Sequence, residues 1–332
     1  MAEISIFEDD AFSVISLLAS INEEHVIPGQ IAASGLFTEE GSTTIVQQIE
    51  KDGDMLKLVP AAARGSTGLV VTGSKRKMLP FNSVHLPETF TILADEIQGI
   101  RAFGSRTELQ GVQAVVNQRL EKARKQLDIT HEYQRIGAIK GLIIDADGES
   151  VLLDIYQAFG LPRPKAFSLG LNDQATDVSV RLTEVLDAQE DALGSVTSTG
   201  SRGYAGRNFW AKLIAHDKVR DTYGEAEKGA ALRGDRRQSF DFGGVTWERY
   251  RGQLGGKHFV GADEAHVVPE GVAGLFITVF APADYMETVN TLGLPYYSKL
   301  ERMRFDKGVQ GEAQSNPLHL CTRPLAVRKV TI

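Results

Sequence analysis

The sequence predicts an α+β fold, in which helices and strands segregate along the chain and do not alternate as βαβα. The prediction rests on one uninterrupted helical period over residues 105–136, strand signals that dominate from Ser239 to the end, and a long polar segment ahead of both that carries little core pattern. With 332 residues and 42% hydrophobic content, the chain can bury one sizeable core or two modest subdomains.

The first fifty residues carry acids, Glu8, Asp9 and Asp10 among them, and neither Lys nor Arg. Phe12, Ile15, Leu18 and Ala19 recur at helical spacing after the Asp9-Asp10 start signal, which predicts a short amphipathic helix. The tether behind it (Pro28, Gly29, Ser34, Gly35, Gly41) reads as an arm that docks elsewhere. Residues 43–60 alternate as a β-hairpin, with Asp52-Gly53 as the turn and residues 55–59 as the returning strand. From 55 to 87 there is no acid, whereas Lys57, Arg64, Lys75, Arg76 and Lys77 are basic. An extended basic segment thus follows an extended acidic one, and neither holds enough apolar residues for its own core.

Leu109, Val112, Val116, Leu120, Ala123 and Leu127 step by three and four, with Gln, Arg, Glu and Lys between them. Some 30 helical residues make a rod of about 45 Å. A second hairpin follows, with Leu142, Ile143 and Ile144 facing Val151, Leu152 and Leu153 across Asp145–Gly148. A helix is predicted from Asp173 to Leu193, stopped by Gly194. Residues 195–206 read as a mobile Gly/Ser/Thr loop, and Phe209, Trp210, Leu213 and Ile214 as the next helix. Residues 240–250 form strands around Gly243-Gly244, and the apolar run 275–280 suits a strand buried on both faces. Pro282 opens a short helix to Val289. The tail turns at Asp306-Lys307-Gly308 and ends in one long strand over 317–332.

The formal net charge of -7 argues against nucleic-acid binding driven by bulk positive charge. Cys321 is the sole cysteine, so no intrachain disulfide forms, and it reads as a buried structural thiol suited to a reducing compartment. The acidic N-terminus lacks the pattern of a signal peptide, and no apolar run approaches the roughly 20 residues that span a bilayer. The chain is therefore expected in the cytosol, with no membrane partner.

No motif assembles a reaction centre. Gly200, Gly203 and Gly206 precede a helix, but Arg207-Asn208 stand where a phosphate loop needs Lys and Ser or Thr. Asp145, Asp147 and Glu149 have alternate spacing, but Gly148 falls too early for a calcium loop and the distal Glu is missing. His131-Glu132 begins like a zinc-protease helix, yet Arg135 occupies the second histidine's place. His258 and His266 have no partners at ligand spacing. The Lys75-Arg76-Lys77 run is short and lacks interleaved aromatics. No catalytic residue, cofactor or metal is expected.

Several segments, in order, resemble the lambda-type tailed-phage major capsid protein E family. They are residues 94–104 leading into the long helix, Phe209-Trp210-Ala211-Lys212-Leu213-Ile214 with His216-Asp217-Lys218-Val219-Arg220, and Phe280-Ala281-Pro282-Ala283-Asp284-Tyr285 with Asn290-Thr291-Leu292-Gly293-Leu294-Pro295-Tyr296-Tyr297. The tail Glu312-Ala313-Gln314-Ser315-Asn316-Pro317, then Cys321-Thr322-Arg323-Pro324, completes a likeness that covers essentially the whole chain.

The resemblance implies the Hong Kong 97-type capsid fold and a non-enzymatic shell subunit that self-assembles into pentamers and hexamers around double-stranded DNA. It implies an N-terminal arm (1–40), an extended β-hairpin loop (41–90), a peripheral domain with its spine helix (91–160), an axial domain (161–292) and return strands of the peripheral domain (293–332). It further implies a separate scaffolding protein or protease, a portal, a decoration protein in some shells, and only weak, non-specific DNA contact. The location is the virion capsid, assembled in the bacterial cytoplasm. The charge pattern adds candidate intersubunit contacts, with Glu8, Asp9 and Asp10 of one copy facing Arg64, Lys75, Arg76 and Lys77 of another. The alternatives are an encapsulin-like cellular compartment on the same fold, and a soluble enzyme whose site the sequence does not reveal.

Overall fold

The computed structural model describes residues 12–23, 29–51, 77–97, 108–220, 222–224 and 239–332. Its helices are α1 (Val14–Glu23), α2 (Gln30–Ser34), α3 (Ala94–Ile97), α4 (Glu108–Lys140), α5 (Ile155–Phe159), α6 (Val178–Leu193) and α7 (Arg207–Ala215). The earlier strands are β1 (Thr38–Gly41), β2 (Val46–Lys51), β3 (Lys77–Asn82), β4 (Leu86–Leu93), β5 (Leu142–Ile144), β6 (Val151–Asp154) and β7 (Phe167–Ser168). The middle strands are β8 (Gly200–Ala205), β9 (Ser239–Phe242), β10 (Val245–Arg249), β11 (Gln253–Leu254), β12 (Lys257–His258) and β13 (Glu264–Glu270). Then come β14 (Phe276–Phe280), β15 (Tyr297–Arg302), β16 (Gly308–Ser315), β17 (Pro317–Cys321) and β18 (Arg328–Thr331). The chain divides into two compact units: Met1–Gln47, Asn82–Arg135 and Ile277–His319 form the first, and Gln48–Phe81, Ile136–Phe276 and Leu320–Ile332 the second.

In the first unit, Val112, Val116, Leu120, Ala123 and Leu127 of α4 bury one stripe against Phe12, Leu17 and Ile21 and against Ile92, Val309 and Ala313 of the β15-β16-β4 sheet. Each buried Leu or Ile there contributes on the order of 1.5–3 kcal/mol. The predicted stripe of α4 holds from Val112 to Leu127, the Leu109 side chain lying outside the described residues, and the helix runs four residues past the expected end at 136. Of the expected Phe12, Ile15, Leu18 and Ala19, Phe12 is buried, Leu18 is half-buried, Ala19 is exposed and the Ile15 side chain lies outside the described residues, while Leu17 and Ile21 carry the buried face of α1. The reason is the start. Ser13 Oγ accepts from the Ser16 amide at 3.3 Å, so the helical period begins there.

The tether is also more ordered than expected. Glu132 of α4 is buried, and its carboxylate accepts from the amides of Ile31 (2.8 Å) and Ala32 (3.2 Å), which caps α2. β1 then joins β14 in a parallel ladder, with Thr38 opposite Ile277. All four β1 residues are exposed, so the strand is held chiefly by its backbone and offers no alternation to read. β14 lies between β1 and β17 and is almost wholly buried, as its apolar run predicts. β2 pairs with β3. The return expected at 55–59 lies outside the described residues.

The second unit is organised by a six-stranded sheet of order β7-β18-β13-β8-β10-β9. The expected loop over 195–206 holds for 195–199, but Gly200–Ala205 is β8, at the centre of this sheet, parallel to β10 and antiparallel to β13. Its glycines reflect packing. Gly203 faces Trp247, and a Cβ at Gly203 would lie 2.5 Å from that fully buried ring. Trp247, Phe209, Trp210 and Phe240 form the aromatic heart of the core, with Leu213 and with Val178, Leu182 and Val185 of α6 packed in the same cluster. α6 starts at Val178, five residues after the expected Asp173, because Asp177 is the residue whose carboxylate accepts from the amides of Ser179 and Val180. Asp173 accepts from the Ala175 amide in a preceding turn.

The β5–β6, β9–β10 and β15–β16 hairpins form as expected. The predicted helix after Pro282 shrinks to one 3₁₀ turn, Met286–Thr288. Thr288 Oγ1 donates to the carbonyls of Ala283 (2.7 Å) and Tyr285 (2.9 Å), diverting acceptors a helix would use. The predicted single final strand breaks into β17, a 3₁₀ turn at Pro324–Ala326, and β18. Pro324 has no N–H to continue the ladder, and β18 pairs with β13 and β7 in the second unit.

Candidate assembly surface

Of the groups that could carry chemistry, His131, His266, His319 and Cys321 are buried, while His85, His258, Asp147 and Glu149 are exposed. His131 is buried on α4, with Nε2 3.0 Å from Ser315 Oγ and its ring stacked on Tyr296 at 5.6 Å. Burial, with the nearby Arg135 charge, pushes its pKa down to about 3, so the imidazole is neutral. His319 meets Thr278 Oγ1 through Nδ1 at 2.9 Å and is held well below the ordinary histidine range by burial. In the second unit His266 is also buried and its pKa lowered by burial, against the opposing pull of Glu264 at 3.4 Å. Cys321 is fully buried on β17, and burial pushes its thiol up to about 12. These four side chains do not meet solvent.

A cleft of about 320 Å³ in the first unit is lined by Asn22, Glu39, Arg124, Asp128, His131, Arg135 and Tyr296. Its polar groups are engaged with one another. Arg124 Nη1 donates to the carbonyls of Ile21 (2.5 Å) and Asn22 (2.9 Å), Arg135 Nη2 binds Glu39 at 2.5 Å, and the Tyr296 hydroxyl donates to Asp128. Burial raises the Asp128 pKa. These bonds fasten α1 and β1 to α4, so the described part of the N-terminal segment docks within its own unit. Among the described residues, no three His, Cys, Asp or Glu side chains are grouped to hold a metal ion, and no helix is long and apolar enough to cross a membrane.

Of the predicted contact residues, Glu8, Asp9, Asp10, Arg64, Lys75 and Arg76 lie outside the described residues. Lys77 opens β3, but its side chain also lies outside them.

The described surface shows features that charge reading missed. The β15-β16-β4 sheet covers the core with one face only. On the other, Lys299 lies opposite Glu312, Glu301 opposite Gln310, and Thr89 and Thr91 continue the exposed row on β4. Tyr285 closes one end, donating to Glu312 at 3.1 Å. At the tip of the same hairpin Phe305 is 89% exposed. Its φ of 62° and that of Asp306, 51°, are left-handed. Met286, Val289 and Leu292 are also exposed. The signal for Phe305 was present in the sequence, as an aromatic between Arg304 and the Asp306-Lys307-Gly308 turn.

Comparison with known proteins places this architecture. The family model for phage major capsid protein E matches residues 13–332. The major capsid protein of Salmonella phage Felix O1 is 26% identical over 352 aligned residues, covering 96% of this chain and 95% of its own. That of Pseudomonas phage KPP10 is 28% identical over 286, covering 80% and 81%. The capsid of Ralstonia phage GP4 superposes with a TM-score of 0.51 at 8% identity, over 89% of this chain and 86% of its own. A prophage protein of E. coli CFT073 gives a TM-score of 0.58 at 14% identity, over 96% and 98%. These structural likenesses speak to the fold, which is the α+β, Hong Kong 97-type capsid fold expected from sequence. With a match that runs from Ser13 to the last residue, the chain belongs to the phage major capsid protein E family.

Proposed function

We propose that this chain, a phage capsid protein by family, builds the icosahedral head of a tailed phage as pentamers and hexamers enclosing double-stranded DNA. The observation that carries the reading is the family match over residues 13–332. The first unit, with most of the 33-residue α4, is the counterpart of the peripheral domain, and the second, with its six-stranded sheet, that of the axial domain. β2 and β3, which pair with each other, belong to the extended loop assigned to residues 41–90. A net charge of -7 suits a container that contacts DNA weakly, without gripping it. A separate scaffolding protein or protease and a portal complete assembly in the host cytoplasm, with a decoration protein as a further partner, and the product is the virion shell.

The test is electron microscopy of the sedimenting fraction, with the chain expressed alone and with its neighbouring genes. Closed shells or five- and six-membered rings are expected. A small monodisperse species under both conditions overturns the reading. A cargo enzyme inside the shells, with no portal gene nearby, would favour an encapsulin-like compartment. The arm-to-loop charge pairing has its own test. Lys75→Glu with Arg76→Glu should impair assembly most at low salt, and unchanged assembly at all salt concentrations removes the idea.

A further inference from the structure

The β15–β16 hairpin carries two features that the fold of a single copy does not use. The first is its tip. Phe305 and Asp306 take consecutive left-handed conformations, which Gly or Asn would adopt with less strain. An aromatic held there at 89% exposure adds nothing to the core. Strain retained at an exposed position points to a use outside the folding of the chain itself. Arg304 and Lys307 flank the ring, both exposed and both without an ion-pair partner among the described residues. Asp306 is the acid at the tip.

The second feature is the uncovered face of the same sheet. A groove of about 440 Å³ runs along it, lined by Tyr285, Lys299, Glu301, Gln310 and Glu312. The Lys299 ammonium is neutralised by Glu287 at 2.7 Å and lies 5.4 Å from the centre of the Tyr285 ring. Glu312 accepts from Tyr285 and from Gln314, each at 3.1 Å. Glu301 has no partner among the described residues. The groove therefore offers an aromatic wall, an aliphatic lysine stem and an excess of negative charge. An aromatic ring with cations beside it is its chemical complement.

Tip and groove lie on one hairpin, about four residues or ~13 Å apart, and a paired hairpin cannot fold back onto its own face. The occupant must come from another molecule. We propose that the Phe305 tip of one copy inserts into the Tyr285–Glu301–Glu312 groove of a second copy, a head-to-tail contact between neighbouring subunits. The proposal rests on the shell reading above and names one of its contacts. A contact of this kind uses different patches on its two sides, so it propagates around a ring of copies and does not stop at a dimer.

Cysteine cross-linking of the full chain, co-expressed with its neighbouring genes, tests it. Phe305→Cys combined with Gln310→Cys should give a ladder of disulfide-linked oligomers from oxidised particles, while each single variant stays monomeric on the gel. Cys321 is fully buried and does not interfere. In parallel, Phe305→Ser should lower the yield of closed shells at least tenfold while the melting temperature of the subunit stays unchanged. Glu301→Arg should do the same, and Arg304→Glu should partly rescue it. The contact is refuted if wild-type particles form, the double-cysteine variant remains monomeric and Phe305→Ser assembles normally. Cross-linking of the Phe305→Cys single variant to itself would replace it with a tip-to-tip contact. Loss of packaged DNA as the sole defect of Phe305→Ser would make the tip a DNA contact. If the wild type makes no particle at all, the shell reading falls and takes this proposal with it.

Discussion

Acid should destabilise the subunit in a way that one histidine reports. His131 is neutral in the folded protein, with a pKa near 3 against an ordinary value of 6.5. In the unfolded chain it protonates as the pH falls below 6.5. The unfolded state then binds more protons than the native state, so stability drops with falling pH until the folded pKa is reached. Each pH unit is worth about 1.4 kcal/mol, so lowering the pH from 7 to 4.5 costs about 2.7 kcal/mol from this side chain alone. His131→Phe keeps an aromatic ring against Tyr296 and leaves Ser315 Oγ its bond to the Pro295 carbonyl at 2.5 Å. Urea unfolding of both proteins at pH 7 and 4.5 gives two pH sensitivities. Groups not coupled to His131 that lose stability in acid, such as Glu264, whose pKa is held low by His266 and Lys329, contribute equally to both and cancel. The difference reports His131 together with its coupling to His319, whose ring lies 5.4 Å away. Wild type should lose about 2–3 kcal/mol more than the variant. Equal losses within ~0.5 kcal/mol would refute the claim that this imidazole is buried and neutral.

Gly203→Val would place a Cβ 2.5 Å from the Trp247 ring in a filled sheet, costing about 3 kcal/mol, the upper end for overpacking, and should show as lost soluble yield and a lower Tm. Glu132→Ala leaves the buried Ile31 and Ala32 amides without their acceptor. It should cost about 1–3 kcal/mol, with faster hydrogen exchange at those two amides as the specific sign. The Cys321 thiol, raised to about 12, should react with a disulfide reagent at pH 8 roughly a thousandfold more slowly in the native protein than in urea. Rapid labelling of the folded chain would contradict its burial.

The sequence disclosed those elements whose periodicity is set by a buried face. α4 was legible because its stripe at 112, 116, 120, 123 and 127 packs one way along its length. The three hairpins were legible because their turns carry glycines or charged residues between apolar runs. β8 was not, since its glycines make room for Trp247 on the paired strand, and a lone sequence does not show what a glycine faces. β1 was not, since none of its residues is buried and it is held by its backbone ladder and the Glu39–Arg135 ion pair, neither of which leaves an alternation to read. The tail was misread because the turn at Pro324 interrupts an otherwise strand-like composition. For the assembly surface, charge led to residues at 8–10 and 64–77, while Phe305 went unremarked because an aromatic residue ordinarily signals core.

The three-stranded sheet β1-β14-β17 has a consequence for how the polypeptide is made. It joins residues 38–41 to 276–280 and 317–321, and the first unit is stitched from three stretches of chain ending at His319. The second unit needs β18, which ends at Thr331. Neither can close until residues 319 and 331 respectively have left the ribosome, because the sheet partners of the early strand β1 lie about 240–280 residues further along the chain. A nascent or truncated product therefore lacks a finished unit and cannot take a place beside complete copies. Sheet topology thus makes the late residues a condition for both units, and a chain cut short before them offers neither.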